Sequence, residues 1–128
     1  MPLVRLELPD TFTPEQARRA GDAVHGALVE HMNVPPDDKF QVLARHPRGT
    51  LVVTPEYLGV KHDVERAVIV NVTLAPGRTL QQKRAFYAQT AAQVARALDI
   101  SPSDVLIALV DTLRENWSFG DGIAHYTL

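Results

Sequence analysis

Cysteine is absent from the 128 residues of this chain. That excludes a disulfide framework, a thiol nucleophile and a zinc site built on thiolates. No run of lysine and arginine occurs and the formal net charge is −2, so the chain offers no electrostatic footprint for DNA or RNA. No apolar stretch approaches the ~20 residues of a membrane span, and no basic-then-apolar signal segment stands in front of the first strand. A cytoplasmic protein with no nucleic-acid and no membrane partner is expected. The sequence has no Gly-x-Gly-x-x-Gly, no Walker motif and no His-Glu-x-x-His. Among its five histidines, His25 and His31 are six apart on one helix and do not share a face, and no carboxylate cluster completes a metal site. Asp121-Gly122 reads as a turn, not a calcium loop. No metal and no cofactor are expected.

What is present suits a single domain over residues 1–128. Hydrophobic residues make up 45% of the chain and charged residues 22%, enough for a core inside a soluble surface. The opening stretch Met1-Pro2-Leu3-Val4-Arg5-Leu6-Glu7-Leu8 alternates with period two and predicts a strand. Proline at a strand's first position loses no ladder hydrogen bond that it needs. Thr13-Pro14-Glu15-Gln16 predicts a helix start, with Thr as cap, Pro at the first helical position and Gln three residues after the cap. Ala17, Ala20, Val24, Ala27, Leu28 and Met32 follow at helical spacing. Phe40 to Arg45 reads as a second strand, Thr50 to Val53 as a short strand, and Thr54 to Glu65 as a loop. Arg66 to Leu74 is the strongest strand pattern. A second capped helix begins at Thr79, with Phe86, Thr90, Val94, Ala97 and Leu98 on its inner face, and Val105 to Val110 predicts a last long strand. An aromatic loop, Asn116 to Gly122, precedes the tail.

The two halves superimpose without a gap at an offset of 66 residues, which pairs Thr13 with Thr79, Gln16 with Gln82, Pro36 with Pro102 and Asp38 with Asp104. The unit is β-α-β, used over residues 2–46 and again over 66–111. A strand–helix–strand crossover of this length makes parallel strands and is right-handed. The expected fold is therefore α/β (α+β), a four-stranded sheet with both helices on one face. The other face, with Leu3, Arg5, Glu7, Ile69, Asn71 and Thr73, is left without cover. Sheets with parallel strands usually bury both faces, so association with further copies of the chain is expected.

A short β-α-β unit used twice, with proline directly after the initiating methionine, resembles the tautomerase superfamily, and within it the malonate semialdehyde decarboxylase family. The residues that carry the resemblance are Pro2-Leu3, Asp22 to Val29, Val34 to Gln41, Gly77-Arg78-Thr79, Ser103 to Val110 and Asn116 to Gly120, nearly end to end. The resemblance implies a homotrimeric, cofactor-independent enzyme acting on small 2-oxo or 3-oxo carboxylates. It implies that Pro2 is the catalytic amine once Met1 is removed, and that Asp38 acts on water or on the proline. Arg78 would hold the substrate carboxylate, and Trp117 and Phe119 would form an aromatic wall. The sequence departs from the pattern of members with two arginines flanking a proline before the second helix; Ala75-Pro76-Gly77-Arg78 has one.

Three functions fit these residues. The first is a decarboxylase or hydratase of malonate semialdehyde type, with a cationic prolyl amine polarising the substrate carbonyl. The second is a tautomerase of phenylpyruvate-like enols, with the same amine neutral and acting as a base. The third is a trimer that kept the fold without catalysis. A carboxylate beside the amine would favour its charged form, whereas apolar burial would favour the neutral one. Arg78, read as a turn arginine ahead of a helix, is expected to serve binding and to contribute almost nothing to stability. For Asp38 the competing reading is a turn residue that bonds backbone amides, as its repeat mate Asp104 would.

Overall fold

Two threonines start the helices by the same device. In the computed structural model, which describes Met1–Leu128, the side chains of Thr13 and Thr79 accept hydrogen bonds from the backbone N–H groups of Gln16 and Gln82, each at 3.1 Å. The two glutamine side chains accept in turn from the threonine N–H groups, at 2.7 and 2.9 Å. Each reciprocal box stabilises its helix by about 1 kcal/mol. Helix α1 then spans Pro14–His31 and α2 spans Leu80–Leu98. Neither is long and apolar enough to cross a membrane.

The strands are β1 (Leu3–Pro9), β2 (Phe40–His46), β3 (Glu56–Tyr57), β4 (Val60–Lys61), β5 (Val68–Leu74) and β6 (Val105–Asp111). Four of them form one mixed sheet in the order β2-β1-β5-β6. The two crossover pairs, β1–β2 and β5–β6, are parallel, and the central pair β1–β5 is antiparallel. Leu6 stands opposite Leu43 on one side and Val70 on the other.

Alternation decides which face is core. Val4, Leu6 and Leu8 of β1 and Val68, Val70, Val72 and Leu74 of β5 are buried in one cluster with Ala17, Ala20, Val24, Ala27, Leu28, Phe86, Val94 and Leu98 of the helices. Gly21 lets β2 approach α1. A Cβ there would lie 2.6 Å from the side-chain oxygen of Gln41, whose amide nitrogen donates to the Gly21 carbonyl at 2.8 Å. On the opposite face Leu3, Phe40, Val42 and Val110 are more than a third exposed. Glu7 and Asn71 on that face each hold a side-chain oxygen out of solvent with no partner.

Three features differ from the sequence expectation. Thr50–Val53 is not a strand: the Thr50 hydroxyl and N–H both donate to the Pro47 carbonyl, closing a turn. The short strands β3 and β4 lie inside the expected loop. They are joined by Leu58 and Gly59 with φ of 51° and 80°, the double left-handed turn that suits a two-residue hairpin. Leucine is a poor signal for that conformation, so the hairpin is illegible in the pattern. The long strand begins at Val68 rather than Arg66, because the N–H groups of Arg66 and Ala67 both donate to Asp63 in a turn.

Candidate active site

Strand directions bring four chain segments to one edge of the sheet. Because β1 is antiparallel to β5, the start of β1 lies beside the end of β5, with Leu3 opposite Thr73. Because β2 is parallel to β1, its start lies there too, with Phe40 opposite Leu3. Because β6 is parallel to β5, its end completes the set, and the Thr112 N–H donates to the Leu74 carbonyl at 2.8 Å just beyond the paired residues. The segments that leave this edge are Met1-Pro2, the turn Pro35–Asp38, the turn Ala75–Arg78 and the segment from Thr112 onward. They surround a cleft of about 420 Å³ lined by Met1, Pro35, Asp38, Arg78, Arg114 and Tyr126 among others.

Two of the sequence candidates, Asp38 and Arg78, line the cleft, while Pro2 does not line it. Pro2 is buried directly behind Met1, and the amino group of Met1 forms an ion pair with Asp38. Burial, and secondly the positive charge of Arg78, push the pKa of this amine down to about 6; loss of water and a neighbouring cation both disfavour the ammonium. Asp38 itself sits on a turn closed by its own N–H donating to the Pro35 carbonyl at 3.0 Å. The turn is braced from α1, where His25 Nε2 lies 2.7 Å from the Pro36 carbonyl oxygen. The side chain of Asp104 accepts from the Asp63 N–H at 2.7 Å and is buried. Repeat mates in sequence thus have different partners in space.

Arg78 follows Gly77, whose φ of 118° turns the chain into the cleft. Its Nε and Nη2 donate to the Met32 carbonyl at 3.1 and 2.9 Å, and its Nη1 donates to Ala75 at 3.0 Å. Met32 is the residue that ends α1, so Arg78 satisfies a helix-end carbonyl. The expectation that Arg78 contributes almost nothing to stability is corrected by these three bonds. A guanidinium has five N–H donors, and two remain for an anion. Burial, then the like charge of Arg114, lower the pKa of Arg78, while Asp111 opposes them.

The aromatic candidates lie to one side. Trp117 and Phe119 stack with centroids 5.5 Å apart and planes 2° apart, Phe119 meets Phe40 at 5.5 Å, and Tyr126 meets Phe119 edge-on at 5.3 Å. Trp117 does not line the cleft, and Phe119 lines a neighbouring hollow that shares Pro35, Asp38 and Tyr126 with it. Their cluster holds the C-terminal tail, helped by the Phe119 N–H donating to His125 Nδ1 at 3.2 Å, and the tail carries Tyr126 to the cleft. Arg114 and Tyr126 are charged and aromatic lining residues that the sequence pattern did not single out. No motif marks either, since both reach the cleft through the end of β6 and the fold of the tail.

Comparison with known proteins identifies the family. A family model described as tautomerase enzyme matches residues 38–120, and a second of the same description matches residues 2–61. The chain belongs to the tautomerase family. It is 32% identical to the probable tautomerase YusQ of Bacillus subtilis (strain 168), with 97% of each chain covered. It is 27% identical to the probable tautomerase YrdN of the same organism, over 98% of this chain and 96% of that one. Among solved structures it resembles a malonate semialdehyde decarboxylase inhibited by 3-bromopropiolate, with a TM-score of 0.89 and 34% identity over 98% of this chain and 94% of the other. Fused 4-OT, solved as a symmetric trimer, shares the fold at a TM-score of 0.77 and 22% identity, over 94% of each chain.

Proposed function

We propose that this tautomerase-family enzyme uses the amine of Pro2, exposed by removal of Met1, on a small oxo carboxylate, in a decarboxylation or hydration of malonate semialdehyde type. The observation that carries the reading is the convergence of the chain's amino group, Asp38 and Arg78 on one cleft. The 34% identity to a malonate semialdehyde decarboxylase over nearly the whole chain supports the substrate class. No cofactor enters the scheme. The two spare N–H donors of Arg78 take the substrate carboxylate. A protonated Pro2 amine then polarises the 3-oxo group, the C–C bond to the carboxylate breaks as carbon dioxide leaves, and its electrons pass into an enolate. Proton transfer from the amine to the enolate carbon gives the aldehyde, and Asp38 returns a proton to the amine from water. In hydration Asp38 would instead direct water to the polarised carbon.

One observation favours a second reaction. The burial and the Arg78 charge that lower the Met1 amine to about 6 would act in the same direction on a Pro2 amine exposed at the same end. That suits a neutral base that moves a proton from an enol to carbon, as in tautomerisation of phenylpyruvate-like substrates. A pH–rate profile separates the two. Decarboxylation by a cationic amine falls as pH rises through the amine's pKa, whereas tautomerisation by a neutral amine rises. In either case a protein with a residue retained before Pro2, verified by intact mass, should keep its fold and lose turnover about a thousandfold or more. Equal turnover of the extended and the trimmed protein would overturn the role of Pro2.

The same reading includes a homotrimer. The apolar outer sheet face, with Leu3, Phe40, Val42 and Val110 exposed, supports a covering copy of the chain, and the trimer of fused 4-OT offers the arrangement. Sedimentation should give three chains per particle, and a stable folded monomer at micromolar concentration would overturn it.

A further inference from the structure

The cleft holds a second guanidinium that the decarboxylation scheme does not employ. Arg114 begins the short 3-10 turn Arg114–Asn116. Its position follows from the backbone: the Asn116 N–H donates to Leu113 at 3.0 Å and the Trp117 N–H to Arg114 at 3.3 Å. The Asn116 side chain also donates to the Thr112 hydroxyl at 2.9 Å, directly after the last bond of β6 to Leu74. The end of β6 thereby sets Arg114 on the cleft wall with Asp38 and Arg78. No carboxylate pairs with it, because Asp38 is taken by the amino group and Arg114 enters no ion pair elsewhere.

Two guanidiniums facing one cleft repel each other, and Arg114 does depress the pKa of Arg78. Such a pair is relieved by an anion that bridges them. The chemistry supplies one. Loss of carbon dioxide and loss of a proton both convert a carbonyl oxygen into an enolate oxygen, which needs a fixed positive partner. A guanidinium supplies that charge whatever the protonation state of the Pro2 amine. We propose that Arg114 is a catalytic residue that binds the carbonyl oxygen of the substrate and stabilises the negative charge that develops there, while Arg78 holds the carboxylate at the other end.

The proposal rests on the reading that Arg78 binds the substrate carboxylate, and two inert ligands test the two arginines separately. Malonate carries a full negative charge on an oxygen where a 3-oxo acid has its carbonyl, and propionate is a monocarboxylate of equal length. Calorimetric titration of the unaltered protein should show malonate binding more tightly than propionate. Arg114→Ala should weaken malonate about tenfold or more and leave propionate unchanged; Arg78→Ala should weaken both. In kinetics Arg114→Ala should lower kcat about a hundredfold with little change in KM, and Arg114→Lys should restore part of it. Because Arg114 is exposed, the variant should keep the wild-type Tm. If Arg78→Ala weakens both ligands but Arg114→Ala weakens neither, Arg114 is a solvated surface residue and the proposal is wrong. It is equally wrong if malonate binds the unaltered protein no better than propionate. If Arg78→Ala changes neither ligand, the reading of Arg78 is what fails, and selective loss of malonate in Arg114→Ala would still support the role of Arg114.

Discussion

At one end of the sheet Arg78 donates to the carbonyl of Met32, where α1 stops; at the other end Arg66 donates to the carbonyls of Leu98 and Asp99, where α2 stops, at 3.1 and 3.2 Å. Met32 and Leu98 are repeat mates, but the arginines are not. The mate of Arg78 is Phe12, and the guanidinium of Arg66 lies over the Phe12 ring at 5.3 Å from its centre. A helix-end carbonyl needs a donor at each end, and the two halves meet that need from different positions in the chain. The carboxylates diverge in the same way. Asp38 faces an amino group, whereas Asp104 is buried against the backbone N–H of Asp63. A structural requirement common to both ends is thus met twice, while a titratable amine with a lowered pKa stands at one end only.

The arginine pair gives the largest contrast. Arg78→Ala should leave the Met32 carbonyl without its donor and cost about 1–3 kcal/mol of stability. It should also remove the carboxylate clamp, at about 2–5 kcal/mol of transition-state binding. Arg66→Ala should cost a similar amount of stability while kcat/KM stays at the wild-type value. Thermal melts and steady-state kinetics on both variants decide this. Equal kinetic losses would mean that the two ends are functionally alike. Arg78→Lys should recover only a minor part of kcat/KM, since an ammonium cannot reproduce the planar fork.

The aspartates give the smaller contrast, with the effects reversed. Asp104→Ala should destabilise by about 1–3 kcal/mol, because the Asp63 N–H loses a buried acceptor, and should leave turnover unchanged. Asp38→Ala should shift Tm less and lower turnover. It should also lower the apparent pKa of the Pro2 amine, since a neighbouring carboxylate favours the ammonium. The limb of the pH–rate profile set by that amine, falling for decarboxylation and rising for tautomerisation, reads the shift directly. A Tm loss in Asp38→Ala as large as in Asp104→Ala would show that Asp38 serves mainly to hold its turn.

Local chemistry carried much of this protein in plain sequence. The threonine–glutamine boxes, the period-two strands and the 3.6-residue spacing of Ala17, Ala20, Val24, Ala27 and Leu28 act over a few residues, so they are legible one window at a time. The repeat offset then fixed the pairing of each crossover, because a helix-length connection forces parallel strands. Other features depend on which chain ends meet in space. The antiparallel joint between β1 and β5 is not written in either half, yet it places the start of β1 beside the end of β5. Through it Asp38 and Arg78 share a cleft, and Arg114 and Tyr126, unmarked by any spacing, line that cleft with them. The hairpin at Leu58-Gly59 is hidden in the sequence because leucine rarely takes a left-handed backbone. The three carbonyl bonds of Arg78 are hidden because their acceptors include Met32, 46 residues away. Short-range hydrogen bonding and hydrophobic period are properties of sequence, whereas the partners of a long polar side chain are decided only when distant segments pack.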